Sequence, residues 1–231
     1  MISYTEFQEN LKDLNQQIVD ACAACGREAS SVRILPVTKT FPVEAVEYAY
    51  KAGFLSIGEN RVQEAIAKKE GCNASIEWEL IGHLQSNKVN AAVSLFDRIQ
   101  SVDSLKLLSK INHAAELEGK TIRILVQVNA GKDPAKFGLS IRDTKPFFQE
   151  ALTFRHLKIE GLMTIAPLDE DLSVAREAFS NLRKIRDQLV TEFGIALPEL
   201  SMGMTADLQE AIREGSTMVR VGSGLFGSRT A

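Results

Sequence analysis

The 231-residue chain lacks the marks of a secreted, membrane-spanning or nucleic-acid-binding protein. It has only three cysteines, Cys22, Cys25 and Cys72. An odd, low count without a signal peptide fits a reducing compartment, so the cytoplasm is the expected location. The N-terminal MISYTEFQENLKDL has neither a basic n-region nor an apolar core of a leader. No apolar run approaches the roughly 20 residues needed to cross a bilayer. Acidic and basic residues nearly balance, 30 against 27, for a net charge of −3. No chain-wide positive field therefore exists to attract nucleic acid or an anionic membrane, although a local basic pocket remains open. Proline- or serine-rich linkers, low-complexity tracts and internal repeats are also missing. One domain spanning residues 1–231 is expected.

What is present is a regular alternation. Short apolar stretches at 32–38, 54–57, 76–81, 98–101, 121–128, 157–163, 199–202 and 217–221 read as strands, with a helical pattern in every gap. The clearest, TIRILVQV at 121–128, is almost continuously apolar, as a strand covered on both faces should be. Strict alternation implies parallel strands joined by helical crossovers. An open doubly wound sheet competes with a (β/α)8 barrel, and eight regular units favour the barrel, in which the first and last strands pair. An additional helix over 3–27 precedes them, with Leu11, Leu14, Ile18, Cys22 and Cys25 along one face. Its CAAC is a candidate redox or metal pair, but both cysteines continue the apolar stripe and no second Cys/His pair has ligand spacing, so no metal is expected.

Active sites of such barrels lie at the C-terminal strand ends. The expected strand ends carry Lys39, Asn60, His83, Asn129, Met163, Ser201, Met202, Arg220 and Gly222. Lys39 closes an apolar strand. Partial burial would disfavour its ammonium and make the amine a nucleophile toward carbonyls, whereas the bland reading is a lysine reaching out to solvent. Gly222-Ser223-Gly224 after the eighth strand suits an anion cradle, and otherwise is a turn. Arg220, inside MVRVG, needs a partner, for instance Glu79 or Glu199. His83 is a general-base candidate or a hydrogen-bonded structural histidine. Asn60 and Asn129 are expected to orient groups, Trp78 to pack in the core, and the charges from Glu64 to Lys69 to form a solvated helix face.

VTKT (37–40), GENRVQE (58–64), HLQSNK (83–88), QVN (127–129), KFG (136–138), GLM (161–163), LSMGMTADLQEAI (200–212) and GSTMVRVGSGLFGSR (215–229) occur in an order that resembles the pyridoxal phosphate homeostasis protein family nearly end to end. The resemblance implies a single-domain TIM barrel like the N-terminal barrel of alanine racemase, with pyridoxal 5′-phosphate held as a Schiff base on Lys39. It further implies Arg220 as partner of the pyridine nitrogen, Ser201, Gly222 and Ser223 as phosphate ligands, and Asn60, His83, Met163 and Met202 as pocket residues. Thr205 stands where the family usually has serine, and keeps the hydroxyl.

The resemblance implies control of cofactor and amino-acid levels without established turnover, with apo-enzymes that use the cofactor as partners. A low-activity amino-acid racemase is the alternative. A two-base racemase needs a second acid/base opposite the lysine, commonly a tyrosine from a further domain. The tyrosines here, Tyr4, Tyr48 and Tyr50, fall on expected helices, and the chain stops soon after its last strand. A lysine aldolase would need a carboxylate beside Lys39, and none is apparent at the strand ends. Without a pattern for a large exposed apolar patch, a monomer is expected.

Overall fold

The computed structural model describes residues 1–228; Arg229, which ends the last motif, lies outside the described residues. Among the described residues, eight strands form one sheet: β1 (Arg33–Pro36), β2 (Ser56–Glu59), β3 (Glu77–Leu80), β4 (Arg98–Val102), β5 (Ile122–Gln127), β6 (Leu157–Met163), β7 (Glu199–Ser201) and β8 (Met218–Val221). Their order is β1-β8-β7-β6-β5-β4-β3-β2, and every pairing is parallel. A parallel bridge between Val37 and Gly58 joins the two ends, with Thr38 N–H donating to the Gly58 carbonyl at 3.0 Å. The ring is thereby closed, and the first and eighth strands pair as the alternation predicts.

Helices α1 (Tyr4–Ala24), α2 (Glu44–Lys51), α3 (Val62–Glu70), α4 (Val89–Leu95), α5 (Leu105–Leu117), α6 (Ile141–Ala151), α7 (Leu172–Phe193), α8 (Leu208–Arg213) and α9 (Ser223–Phe226) surround it. Local chemistry starts and stops them. Ser104, Ser140 and Asp171 accept backbone N–H bonds at three N-termini. Gly194 ends α7 in the left-handed region, φ 63°. The Gly222-Ser223-Gly224 segment departs from the sequence reading: Ser223 and Gly224 begin the single helical turn α9 instead of lying in a loop.

That short α9 explains the additional N-terminal helix. Among the described residues, only the four-residue α9 follows β8. Phe7, Leu14, Ile18, Ala21 and Cys22 of α1 instead pack with Val219, Val221, Leu225 and Phe226. Asn10 ties α1 to α9 through the Leu225 carbonyl at 3.1 Å, and the Phe7 and Phe226 rings stack at 5.3 Å. Both cysteines of CAAC belong to this helix end: Cys22 is buried, and Cys25 Sγ points back at the Ala21 carbonyl at 3.2 Å.

The barrel interior is unusual in being largely polar. Such interiors are commonly filled by layers of branched aliphatics. Here Leu35, Val37, Ile81 and Met218 form a small apolar cluster, and an ionic layer lies toward the strand starts. Glu79 meets Arg98 at 3.3 Å and Arg33 at 3.4 Å. Arg98 reaches Glu160 at 2.5 Å, and Arg33 reaches Glu199 at 3.2 Å. Glu79 and Glu199 are thus taken by Arg33 and Arg98, and the sequence reading that offered them to Arg220 is corrected.

Candidate functional site

A cavity of about 470 Å³ opens at the C-terminal strand ends. It brings together Lys39, Asn60, His83, Arg220, Gly222 and Ser223, which are far apart in sequence. Gln127, Phe137, Ile165, Thr205 and the apolar pair Val37 and Ile81 complete most of its wall. Among the described residues, no carboxylate lines it. Two cationic side chains, hydroxyls and amides therefore face a space with an apolar middle, which suits a flat organic anion. Gly82 is required here: a Cβ would lie 2.2 Å from the Asn60 carbonyl oxygen.

Met163, Ser201 and Met202 do not line this cavity; each is completely buried. Strand alternation gives the reason for Met202, which packs in the core between sheet and helices while its neighbour Ser201 faces the barrel axis. Ser201 lies beneath Arg220, its Oγ accepting from Nη1 at 2.8 Å. The other guanidinium arm donates to the Thr164 carbonyl at 2.8 Å. Burial pushes the Arg220 pKa down to about 10, against the opposing charge of Asp207. Arg220 therefore remains a cation and a pure donor at neutral pH.

Lys39 is half-buried. The next residue, Thr40, adopts a left-handed conformation with φ 64°, which costs a β-branched residue about 1–3 kcal/mol. A buried cluster holds that turn. The Thr40 N–H donates to Glu64, and Lys68 Nζ donates to Glu64 at 2.9 Å, to the Thr38 carbonyl at 2.6 Å and to Glu59 at 2.6 Å. Burial raises the Glu59 pKa, opposed by its bonds from Lys68 and Thr38. Lys68 is only 8% exposed, so the expectation of a solvated face from Glu64 to Lys69 is corrected. The missed signal was Glu59 itself, a carboxylate in an otherwise apolar strand that demands a nearby cation.

His83 stacks on Phe137 with ring centroids 3.9 Å apart and planes 12° from parallel. Its Nδ1 lies 3.8 Å from Asp103, whose pKa is raised by burial, against the opposing pull of the neighbouring His83 ring. Phe137 arrives on the loop after β5. Asn129 shapes that loop, donating to the carbonyls of Asp133 at 2.8 Å and Lys136 at 3.3 Å while accepting from the Asp133 N–H. Gln127 also anchors it, through the Phe137 carbonyl at 3.1 Å. The tyrosines stay on the outer helices, where Tyr4 packs edge-on against Tyr48 at 5.1 Å.

The model of the alanine racemase N-terminal domain family matches residues 4–230. A protein of Aquifex aeolicus named pyridoxal phosphate homeostasis protein is 38% identical over 222 residues, covering 96% of this chain and 97% of its own length. The chain belongs to the alanine racemase N-terminal domain family, among the pyridoxal phosphate homeostasis proteins. PipY of Synechococcus elongatus PCC7942, solved with PLP bound, is a family relative of 36% identity. It superposes with a TM-score of 0.81, covering 91% of this chain and 100% of its own. Alanine racemase from Clostridium difficile 630 shares the fold alone, with a TM-score of 0.81 at 17% identity; the match takes in 98% of this chain and 58% of the racemase.

Proposed function

We propose that this cavity binds pyridoxal 5′-phosphate as a Schiff base on Lys39, and that the chain buffers the cofactor inside the cell and hands it to apo-enzymes. The carrying observation is the acid-free wall with Lys39 and Arg220 in it. PipY, solved with PLP bound, supports the same ligand. The bound group would supply a reactive aldehyde and an electron-withdrawing ring.

The residues divide the work. Lys39 would hold the aldehyde end of the group through its side-chain amine, with water as the leaving group. The turn at Thr40, latched by Glu64 and Lys68, sets where Lys39 stands. Gly222 and Ser223, with the Thr205 hydroxyl, suit the phosphate, because amides and hydroxyls donate to it without introducing an acid. We assign Thr205 in place of Ser201 for this purpose, since the Ser201 hydroxyl is engaged beneath Arg220. Arg220, a donor that keeps its own protons, would face the ring nitrogen, and an arginine there would leave the ring a weaker electron sink than an acid would. Asn60 and His83 bound the opposite wall, with Phe137 over the imidazole.

Adding the cofactor to the purified protein should produce absorbance near about 420 nm, expected of the bound chromophore. Lys39→Ala should abolish it; a variant that kept the band would overturn the assignment. Carrier and racemase separate on L-alanine in deuterated water. The carrier reading expects no catalytic incorporation of deuterium at Cα, and many turnovers would sink it. Transfer to an apo-enzyme should outpace release of free cofactor.

A further inference from the structure

The hydrogen-bond directions beneath Arg220 are forced from one end of a chain to the other. A carboxylate can only accept. Glu79 is held by Ser56 at 2.8 Å and by Arg98 at 3.3 Å. The group 2.6 Å from its Oε2 must therefore be the donating Nε2 of Gln100. That choice turns the Gln100 carbonyl oxygen toward Ser201, whose Oγ lies 2.6 Å away. Ser201 has one proton, and Gln100 takes it. Its lone pair is left for Arg220 Nη1 at 2.8 Å. The four residues come from β3, β4, β7 and β8, and Gln100 and Ser201 are completely buried.

We propose that Gln100 and Ser201 are positioning residues for Arg220: a relay anchored on Glu79 fixes how the guanidinium donates into the cavity and so keeps the ring nitrogen of the bound cofactor an acceptor. This rests on the reading of the cavity given above. An arginine with a carboxylate in direct contact would be neutralised and turned toward it. The relay instead orients Arg220 through neutral groups, polarised by a carboxylate two residues away. The cation thus stays available to the ligand. The Thr164 carbonyl holds the second arm and completes a two-point mount.

Four proteins test this: wild type, Gln100→Met, Ser201→Ala and the double variant, each checked for folding by thermal melting. Titration with ring-15N-labelled cofactor should show its nitrogen signal moving toward the protonated value in each variant. The dissociation constant should rise about tenfold, as for loss of one charge-assisted bond, while the Lys39-dependent absorbance persists. The double variant should be no worse than Ser201→Ala, because links in series do not add. A folded Gln100→Met or Ser201→Ala with the wild-type nitrogen signal and affinity would overturn the relay. If wild type itself gave no Lys39-dependent band, the cofactor reading would fail, and the relay would be judged without it. In cofactor-free protein, a slowly exchanging Arg220 Nη1–H signal should be seen in wild type and lost in both single variants, the Nη2–H on Thr164 serving as the internal control; retention of the Nη1–H signal in the variants would overturn the relay. Should Gln100→Met not fold, Ser201→Ala, the smaller change, decides alone.

Discussion

The two ends of this barrel handle buried charge in opposite ways. Toward the strand starts, Arg33, Arg98 and Lys158 balance Glu79, Glu160 and Glu199 in one network. At the strand ends, Arg220 is buried with a hydroxyl and a carbonyl as partners, and among the described residues no acid lines its cavity. The first arrangement spends its electrostatics on itself. The second leaves a desolvated positive field, eased by Asp207 and open to a ligand. Stability and binding are thereby separated along one axis, with Gln100 and Ser201 between them.

Breaking the lower network should give the largest loss of stability. Arg98→Met leaves Glu79 and Glu160 without their shared cation, and should cost about 3–5 kcal/mol, read from the urea midpoint. Arg220→Met should do the reverse. Removing a desolvated cation of matched bulk should change stability by no more than about 2 kcal/mol. Cofactor affinity should nevertheless fall roughly ten- to a hundredfold, measured by absorbance titration. If Arg220→Met unfolded the protein while Arg98→Met did not, the comparison would be inverted.

The smallest effect is in pH dependence, and its sign differs between the ends. Burial raises the Asp207 pKa, against the Met204 N–H and the Arg220 charge. The folded state then holds that proton more tightly than the unfolded chain. Stability from this group is full below about 4 and falls as pH rises through the raised value. Burial also acts on Glu160, but Lys158 and Arg98 outweigh it and lower its pKa. Its contribution is present above the ordinary glutamate value and is lost as pH falls through the folded one. Asp207→Asn should therefore gain on wild type as pH rises from 4 to 7. Glu160→Gln should lose on wild type over the same range. Parallel pH slopes for the two variants in chemical denaturation would contradict the distinction.

Much of this was readable in the chain. The alternation of buried strands and amphipathic helices is a local pattern, and it specified the barrel and the ends on which Lys39, Asn60, His83 and Arg220 would stand. The one-turn α9 was missed because glycine and serine at a strand end read as a turn, whereas packing of Leu225 and Phe226 against α1 rewards a helical turn. Lys68 was misread because its helix position looks solvated until Glu59 is known to point beneath it. Met202 and Ser201 were grouped by motif, although neighbouring strand residues must face opposite ways.

By itself, the sequence determined the element order, the closure of the sheet and the lysine and arginine at its rim, because periodicity and strand-end position are properties of neighbouring residues. Only the tertiary structure decided which polar groups are partners. Glu79, Gln100, Ser201 and Arg220 are distant in the chain, and their hydrogen-bond directions follow from meeting inside a barrel that excludes water. The same packing put Thr205, and not Ser201, at the cavity wall.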